Sequence, residues 1–114
     1  MKPDEREAAH LWDMLKAARE AGGVLEGKSL DAYLQDRVRQ LALERALELV
    51  GEAARHVTRR FQSAHPGIDW RGIIGQRNVL AHEYGVIDQA RLYRTGTESF
   101  PYLIAVLTKV LEEA

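Results

Sequence analysis

The chain has 114 residues, of which 46% are hydrophobic, and this size and composition predict one globular domain spanning residues 1–114. Because it contains no cysteine, disulfides, thiolate metal sites and cysteine nucleophiles are excluded. The charged N-terminus lacks the apolar core of a signal peptide, and no apolar run approaches the roughly 20 residues of a membrane-spanning helix. These features predict a cytoplasmic protein without a membrane segment.

The net charge of −1 hides an uneven distribution along the chain. Residues 55–82 contain five arginines and one acidic residue, a balance of +4, whereas the rest carries 11 basic and 16 acidic residues, a balance of −5. The middle of the chain is therefore a candidate anion-facing surface on an acidic body. The alternative is a set of solvated side chains on helix exteriors. The arginines concerned are Arg55, Arg59, Arg60, Arg71 and Arg77.

Helical spacing of apolar residues dominates the first third of the chain, and no segment alternates with the period of a β-strand. The first helix is predicted to begin after Asp4, which can act as N-cap, and to end at Gly22-Gly23. A second, short helix is expected after the cap residue Ser29. The buried stripe predicted for the first helix consists of Ala8, Leu11, Trp12, Leu15 and Ala18.

The longest predicted helix runs from about residue 36 to residue 64. A second apolar line beside its main stripe indicates a further buried face, such as a dimer contact. Gly51 lies within this helix, where glycine costs about 1 kcal/mol relative to alanine, so it suggests the close approach of another helix. The main stripe is Val38, Ala42, Ala46, Leu49, Val50, Ala53, Val57 and Phe61, and the second line is Leu41, Leu43 and Leu47.

The remaining sequence predicts further helices with short connections. Asp69 can cap a helix that runs from Trp70 to His82 or Tyr84, and Asp88 can cap the next one. The run 95–97, Thr-Gly-Thr, is expected to break that last helical region into pieces at about 89–94 and 99–113. About five helices with short loops form an antiparallel bundle, so the predicted fold class is all-α.

A polar segment, residues 77–84, stands out because it combines Arg, Asn, His, Glu and Tyr within eight residues. The four histidines of the chain are scattered without the i, i+4 spacing of a metal site, and no phosphate-loop or dinucleotide motif is present. Arginine can bind a phosphate and stabilise its growing charge, and histidine can move protons near neutral pH. This combination suits metal-independent cleavage of RNA, in which a 2′-hydroxyl attacks the adjacent phosphorus.

Helical geometry limits how these side chains can meet. Arg77 and Tyr84 lie about 20° apart around an ideal helix, whereas Arg77 and His82 lie about 140° apart. Asn78 and His82 form an i, i+4 pair, so Asn78 could orient the imidazole. Arg77 and His82 could converge if the arginine bends round, if the helix unwinds near Gly85, or if a second subunit brings another copy alongside.

Residues 77–84, RNVLAHEY, resemble the Arg-x4-His motif of the HEPN superfamily in the Arg-x4-His-x-Tyr form of HepT-like toxins. The run 51–54, Gly-Glu-Ala-Ala, resembles a stretch on the long helix of that family. Residues 66–78 resemble its Pro-x-Ile-x-Trp-x-x-Ile-x-x-x-Arg-Asn pattern, and the Val-Ile-Asp of residues 86–88 resembles its entry to the last helix. These blocks occur in order and cover roughly residues 8–112.

This resemblance implies a helical homodimer that cleaves RNA without a metal, with the motif in a cleft at the dimer interface. It implies the toxin of a type VII-like toxin–antitoxin pair, neutralised when a minimal nucleotidyltransferase transfers AMP to the motif tyrosine. By position, Arg77 and His82 are the catalytic pair and Tyr84 is the modification site. Asn78 is expected to support His82, and Glu52 to line the cleft or pair with an arginine.

Other interpretations of the same residues stay open. A non-catalytic module could bind a nucleotide or a nucleotidyltransferase partner through the same cleft, and a helical dimer could use the polar cluster only to set its interface. Arg77 could pair with Glu52 or Glu83, and Tyr84 could be a packing residue. The sequence does not distinguish tRNA from mRNA as the substrate.

Overall fold

The computed structural model describes residues 3–82 and 86–112, and all regular structure within these residues is helical. The helices are α1 (Glu5–Leu25), α2 (Leu30–Leu34), α3 (Arg37–Ala54), α4 (Arg59–Ala64), α5 (Trp70–His82), α6 (Gln89–Arg94) and α7 (Phe100–Glu112). None of these described helices is long and apolar enough to cross a membrane. The predicted all-α class is confirmed for this part of the chain, whereas the pairing of two copies stays a prediction.

The core lies where α1 packs against both α3 and α7. Helices α1 and α3 run antiparallel, because Arg39 Nη1 at the start of α3 donates to the Val24 carbonyl oxygen (2.7 Å) and His56 beyond its end stacks on His10. Burial of aliphatic side chains between these helices is the main stabilising contribution to the fold. The largest side chains sealed from solvent are Leu11, Met14, Leu15, Tyr33, Leu43, Val50, Leu92 and Leu107.

Helix α1 begins as predicted but ends later. Asp4 caps it by accepting a hydrogen bond at Oδ1 from the backbone N–H of Glu7 (2.8 Å). The predicted stop at Gly22-Gly23 is wrong, because the helix continues until Leu25 is buried in the core. The chain turns at Gly27 instead, whose φ of 72° lies in the left-handed region that favours glycine.

The single long helix predicted for residues 36–64 is also wrong, since α3 ends at Ala54 and α4 begins at Arg59. Thr58 produces the break. Its hydroxyl accepts a hydrogen bond from the Phe61 backbone N–H (3.1 Å) as the cap of α4, and it donates to Glu7 Oε1 (2.6 Å). A contact with α1 therefore holds the residue that begins α4, and the periodicity within residues 36–64 does not reveal this contact.

The structure corrects both predicted stripes. Trp12 is 52% exposed and lies outside the core. In α3 the predicted main stripe begins with Val38, which is 76% exposed, and Leu49 is exposed as well. The rest of that stripe from Ala46 onward is buried as predicted, and Leu43 and Leu47 from the second apolar line face the same core. Exposed apolar residues do form a second face on α3, but of the predicted second line only Leu41 belongs to it, beside Val38 and Leu49.

The two pieces predicted at about 89–94 and 99–113 are confirmed as α6 and α7, but the chain between them stays helical. Asp88 caps α6 as predicted, accepting at Oδ1 from the Arg91 backbone N–H (3.1 Å). A π-helical turn, Thr95–Ser99, then carries the chain directly into α7. Gly96 is buried there, and a Cβ at this position would lie 2.6 Å from Leu25 Cδ1, so the wider turn accommodates a close contact with α1.

Candidate functional site

Helix α5 carries the polar segment, and its first turn is firmly anchored. Asp69 caps the helix as predicted, because its Oδ1 accepts a hydrogen bond from the Gly72 backbone N–H (3.0 Å). Trp70 is buried, its Nε1 donates to the His65 carbonyl oxygen (3.1 Å), and its ring meets Phe61 edge-on. This anchored start fixes the direction in which every later side chain of α5 points.

Gly51 of α3 is the point at which α5 comes closest. A Cβ at residue 51 would overlap Cβ of Arg77 and would lie 2.8 Å from the carbonyl oxygen of Ile73. The predicted close approach of another helix to Gly51 is therefore confirmed. Since residue 51 has no side chain, the two backbones pack closely enough to set Arg77 beside Glu52.

Arg77 is held by two neighbours. Its Nη2 lies 2.9 Å from Glu52 Oε2, and its Nη1 donates a hydrogen bond to Asn78 Oδ1 (3.0 Å). The side chain is only 18% exposed, and its buried Nε has no hydrogen-bond partner within residues 3–82 and 86–112. The guanidinium is thus oriented by side chains while part of its donor capacity stays unused.

Glu52 is surrounded by positive groups. Besides Arg77, it contacts His56 Nε2 (3.3 Å) and Arg55 Nε (3.6 Å), and the His56 ring stacks on His10. Desolvation alone would raise the pKa of the Glu52 carboxyl, but the hydrogen bond with His56 and the charges of Arg55, Arg77 and His56 hold that pKa below its ordinary value. Arg55 and His56 were not expected at the site, although their i+3 and i+4 spacing from Glu52 was the available signal.

His82 lies apart from this cluster. It is the last residue of α5, its side chain is exposed, and no hydrogen bond or ion pair joins it to another residue in the described part of the chain. Asn78, which was expected to orient His82, accepts its hydrogen bond from Arg77 instead. Tyr84 and Glu83 lie outside the described residues. The structure therefore brings Arg77, Glu52 and Asn78 together and leaves His82 separate within one chain.

The arrangement offers anion binding and proton transfer on one helix. Arg77 presents a fixed guanidinium that can bind a phosphate, and His82 presents an exposed imidazole, a group type that can transfer protons. Among the described residues, no group of three or more His, Asp or Glu side chains is placed to hold a metal ion.

Comparison with known proteins identifies the class to which this fold and site belong. The family model described as "Ribonuclease HepT-like" matches residues 14–110 of the chain. The matched range includes Glu52, Arg77, Asn78 and His82. The chain therefore belongs to the HepT-like ribonuclease family, which confirms the resemblance found in the sequence.

Individual relatives agree with this assignment. A Methanocaldococcus jannaschii protein named "putative RNase" is 30% identical over 93 residues, covering 82% of this chain and 85% of the relative. A Thermococcus cleftensis protein named "probable ribonuclease HepT" is 38% identical over 71 residues, covering 62% of this chain and 64% of the relative. No solved structure matches the chain at a significant level.

Proposed function

We propose that the protein is an endoribonuclease in which Arg77 and His82 are the catalytic residues. The observation that carries this proposal is the largely buried Arg77, held by Glu52 and Asn78 five residues before an exposed histidine, in a chain of the HepT-like ribonuclease family. A guanidinium held in this way can bind a phosphate group, and an exposed imidazole can exchange protons with the substrate. The substrate class is RNA, either tRNA or mRNA.

The proposed reaction is an internal phosphoryl transfer. The 2′-oxygen of a ribose attacks the adjacent phosphorus, so a P–O2′ bond forms while the P–O5′ bond breaks. His82 removes the 2′-hydroxyl proton as general base, and the imidazolium so formed supplies a proton to the departing 5′-oxygen. Arg77 stabilises the charge that develops on the non-bridging oxygens. The products are a 2′,3′-cyclic phosphate and a 5′-hydroxyl, and no metal takes part.

A homodimer would bring the separated residues together. Helix α5 is regular through His82, so Arg77 and His82 of one chain stay about 140° apart around its axis. Across a two-fold axis, Arg77 of one copy can meet His82 of the other. Uncovered apolar side chains support such pairing, because patches of this kind mark contact surfaces. On α3 and α5 they are Val38, Leu41, Leu49 and Val79.

Two further residues position Arg77 in this proposal. Asn78 aims the guanidinium through its hydrogen bond, and Glu52 holds it between turnovers. An incoming RNA phosphate competes with the Glu52 carboxylate for the same Nη atoms. Glu52 therefore sets how readily Arg77 is released to the substrate, while the geometry of the guanidinium is preserved.

As a type VII-like toxin, the protein would be neutralised at Tyr84 by a minimal nucleotidyltransferase. The tyrosine oxygen would attack the α-phosphorus of a nucleoside triphosphate, accept AMP and release pyrophosphate. The added phosphate carries a negative charge two residues beyond His82, where it would repel RNA and compete for Arg77. Mass spectrometry of the toxin after incubation with that enzyme and ATP tests this step, with Tyr84→Phe as the unreactive control.

The direct test is cleavage of purified tRNA and mRNA in EDTA by the antitoxin-free protein. We expect His82→Ala and Arg77→Ala to lower the cleavage rate by about 10²–10⁴-fold without loss of helical content. Arg94→Ala, at another exposed arginine, serves as the control and should cleave like the wild type. Cleavage by His82→Ala at the wild-type rate would remove His82 from the mechanism.

The alternative function is a non-catalytic partner of a nucleotidyltransferase. One observation favours it: Glu52 already neutralises Arg77, as an interface ion pair would. This alternative predicts a stable complex with the nucleotidyltransferase and no RNA cleavage by the free, unmodified protein. The cleavage assay above separates the two functions.

A further inference from the structure

A groove of about 640 Å³ lies between α4 and α5, on the side of α5 that leads towards His82. Its apolar lining includes Trp70 and Ile74, and its basic lining consists of Arg59 from α4 and Arg71 from α5. The volume is in the range of sites that take small-molecule ligands, so it suits one or two nucleotides of an extended strand and not a duplex.

The groove carries positive charge without neutralising partners. No acidic residue lines it, and neither Arg59 nor Arg71 has a carboxylate within 4.0 Å among residues 3–82 and 86–112. Both arginines are exposed. By contrast, Arg55 and Arg77 both contact Glu52. The groove therefore has two guanidinium groups available for phosphates.

Gly75 leaves the α5 side of the groove without a side chain. It lies in the middle of α5, where glycine costs about 1 kcal/mol relative to alanine. Packing does not require it, because a Cβ at residue 75 would meet nothing within 4 Å and would project into the groove. What glycine provides here is access: it lets another backbone lie directly against the helix.

The groove is continuous with the candidate catalytic residues. Asn78 lines its far end and accepts the hydrogen bond from Arg77. His82 follows one turn later, about 40° away around the helix axis. From Arg71 to His82 the helix rises about 16 Å, so an extended strand in the groove would run along α5 into the site.

We propose that this groove binds single-stranded RNA next to the scissile bond, with phosphates on Arg59 and Arg71 and the sugar–phosphate backbone against Gly75. Single strands fit because their backbone can enter a narrow groove and their bases can turn outward. This assignment rests on the proposed ribonuclease function. It adds the path of the substrate and the residues that determine its affinity.

The first test fills the groove without disturbing the fold. In a His82→Ala background, which binds RNA without cutting it, Gly75→Leu should weaken binding of a fluorescent single-stranded RNA by about tenfold. The matched control is Gly23→Leu, because Gly23 is also an exposed helical glycine with nothing within 4 Å of its Cβ. Equal RNA affinities of the two variants would contradict the proposed RNA-binding role of the groove. So would a loss of binding if sedimentation showed that the Gly75→Leu dimer had dissociated.

The second test removes the charge. Arg59→Gln combined with Arg71→Gln should lower the slope of log affinity against log salt by about 1.4, since each single-strand phosphate contact contributes about 0.7. The control is Arg60→Gln with Arg94→Gln, which makes the same change in net charge outside the groove. An unchanged slope in the first pair, or an equal change in the second, contradicts the proposal.

The groove assignment and the ribonuclease function can be contradicted separately. If the wild type cleaves RNA while the groove variants behave like their controls, the groove is wrong and the ribonuclease function stands. If the wild-type protein, free of AMP, neither cleaves nor binds RNA, the proposed function fails and the groove assignment falls with it.

Discussion

The two sides of α5 differ in what a glycine does there. On the inner side, Gly51 of α3 leaves no room, because any side chain would collide with Arg77 and approach the Ile73 carbonyl. On the outer side, Gly75 leaves open space that packing does not need. The inner glycine fixes the orientation of Arg77, and the outer one leaves open the face of α5 that leads towards His82. One helix thus separates a rigid half of the site from an accessible half.

The largest effect expected from this separation concerns mixed dimers. We expect Arg77→Ala and His82→Ala each to be inactive alone, but a mixture exchanged into heterodimers should retain one intact pair if each site combines Arg77 of one copy with His82 of the other. Activity should return to about a quarter of the wild-type value after random exchange. The measurement is RNA cleavage after unfolding and refolding the two variants together. No recovery in verified heterodimers would place both residues of a site on one chain.

A second prediction breaks the inner contact. Gly51→Ala should lower the free energy of unfolding by about 1–3 kcal/mol, because the added methyl forces α3 and α5 apart. Urea denaturation followed by circular dichroism measures this change. RNA cleavage should fall as well, since Arg77 moves with α5. A variant as stable as the wild type would contradict the close packing at this crossing.

The matching substitution at Gly75, on the outer side of α5, should change the free energy of unfolding in the opposite direction. Gly75→Ala should raise the free energy of unfolding by about 0.5–1 kcal/mol, because alanine restricts the unfolded chain and fits the helix without a clash. The same denaturation experiment measures it. Destabilisation by Gly75→Ala would show that the outer side of α5 is packed after all.

The smallest expected effect concerns acid stability. Folding lowers the pKa of Glu52, so this carboxylate contributes stability above its ordinary unfolded pKa of about 4.3, and that contribution is lost as the pH falls through the lower folded value. Glu52→Gln should therefore be less stable than the wild type near neutral pH, and the difference should shrink in acid. Unfolding midpoints measured from pH 7 to pH 3 test this. A constant difference would contradict the ionic role of Glu52.

Local signals predicted much of the fold correctly. Asp4, Ser29, Asp69 and Asp88 cap helices as expected, because capping depends on residues only three positions away. The capping of α4 by Thr58 left the same kind of local signal at Phe61, whereas the contact of Thr58 with Glu7 could not be predicted in this way, since Glu7 is 51 residues away in the chain. The exposure of Trp12 could not be predicted either, because the spacing of apolar residues does not say how wide a face of α1 the neighbouring helices cover.

The site was predictable in its residue types and only partly in its contacts. Gly51 correctly indicated the close approach of another helix, and the pairing of Arg77 with Glu52 was one of two pairings that the sequence left open. The hydrogen bond from Arg77 to Asn78 was not foreseen, because residues one apart on a helix rarely face each other. The importance of Gly75 emerged only once α4 was seen beside it.

The central claim is that Arg77 and His82 cleave RNA through its own 2′-hydroxyl. The most direct test is analysis of the ends produced when the AMP-free wild-type protein cuts RNA in EDTA, with His82→Ala treated alongside. We predict 2′,3′-cyclic phosphate and 5′-hydroxyl ends from the wild type and no such products from the variant. Products with 3′-hydroxyl and 5′-phosphate ends, or equal cleavage by His82→Ala, would contradict the account.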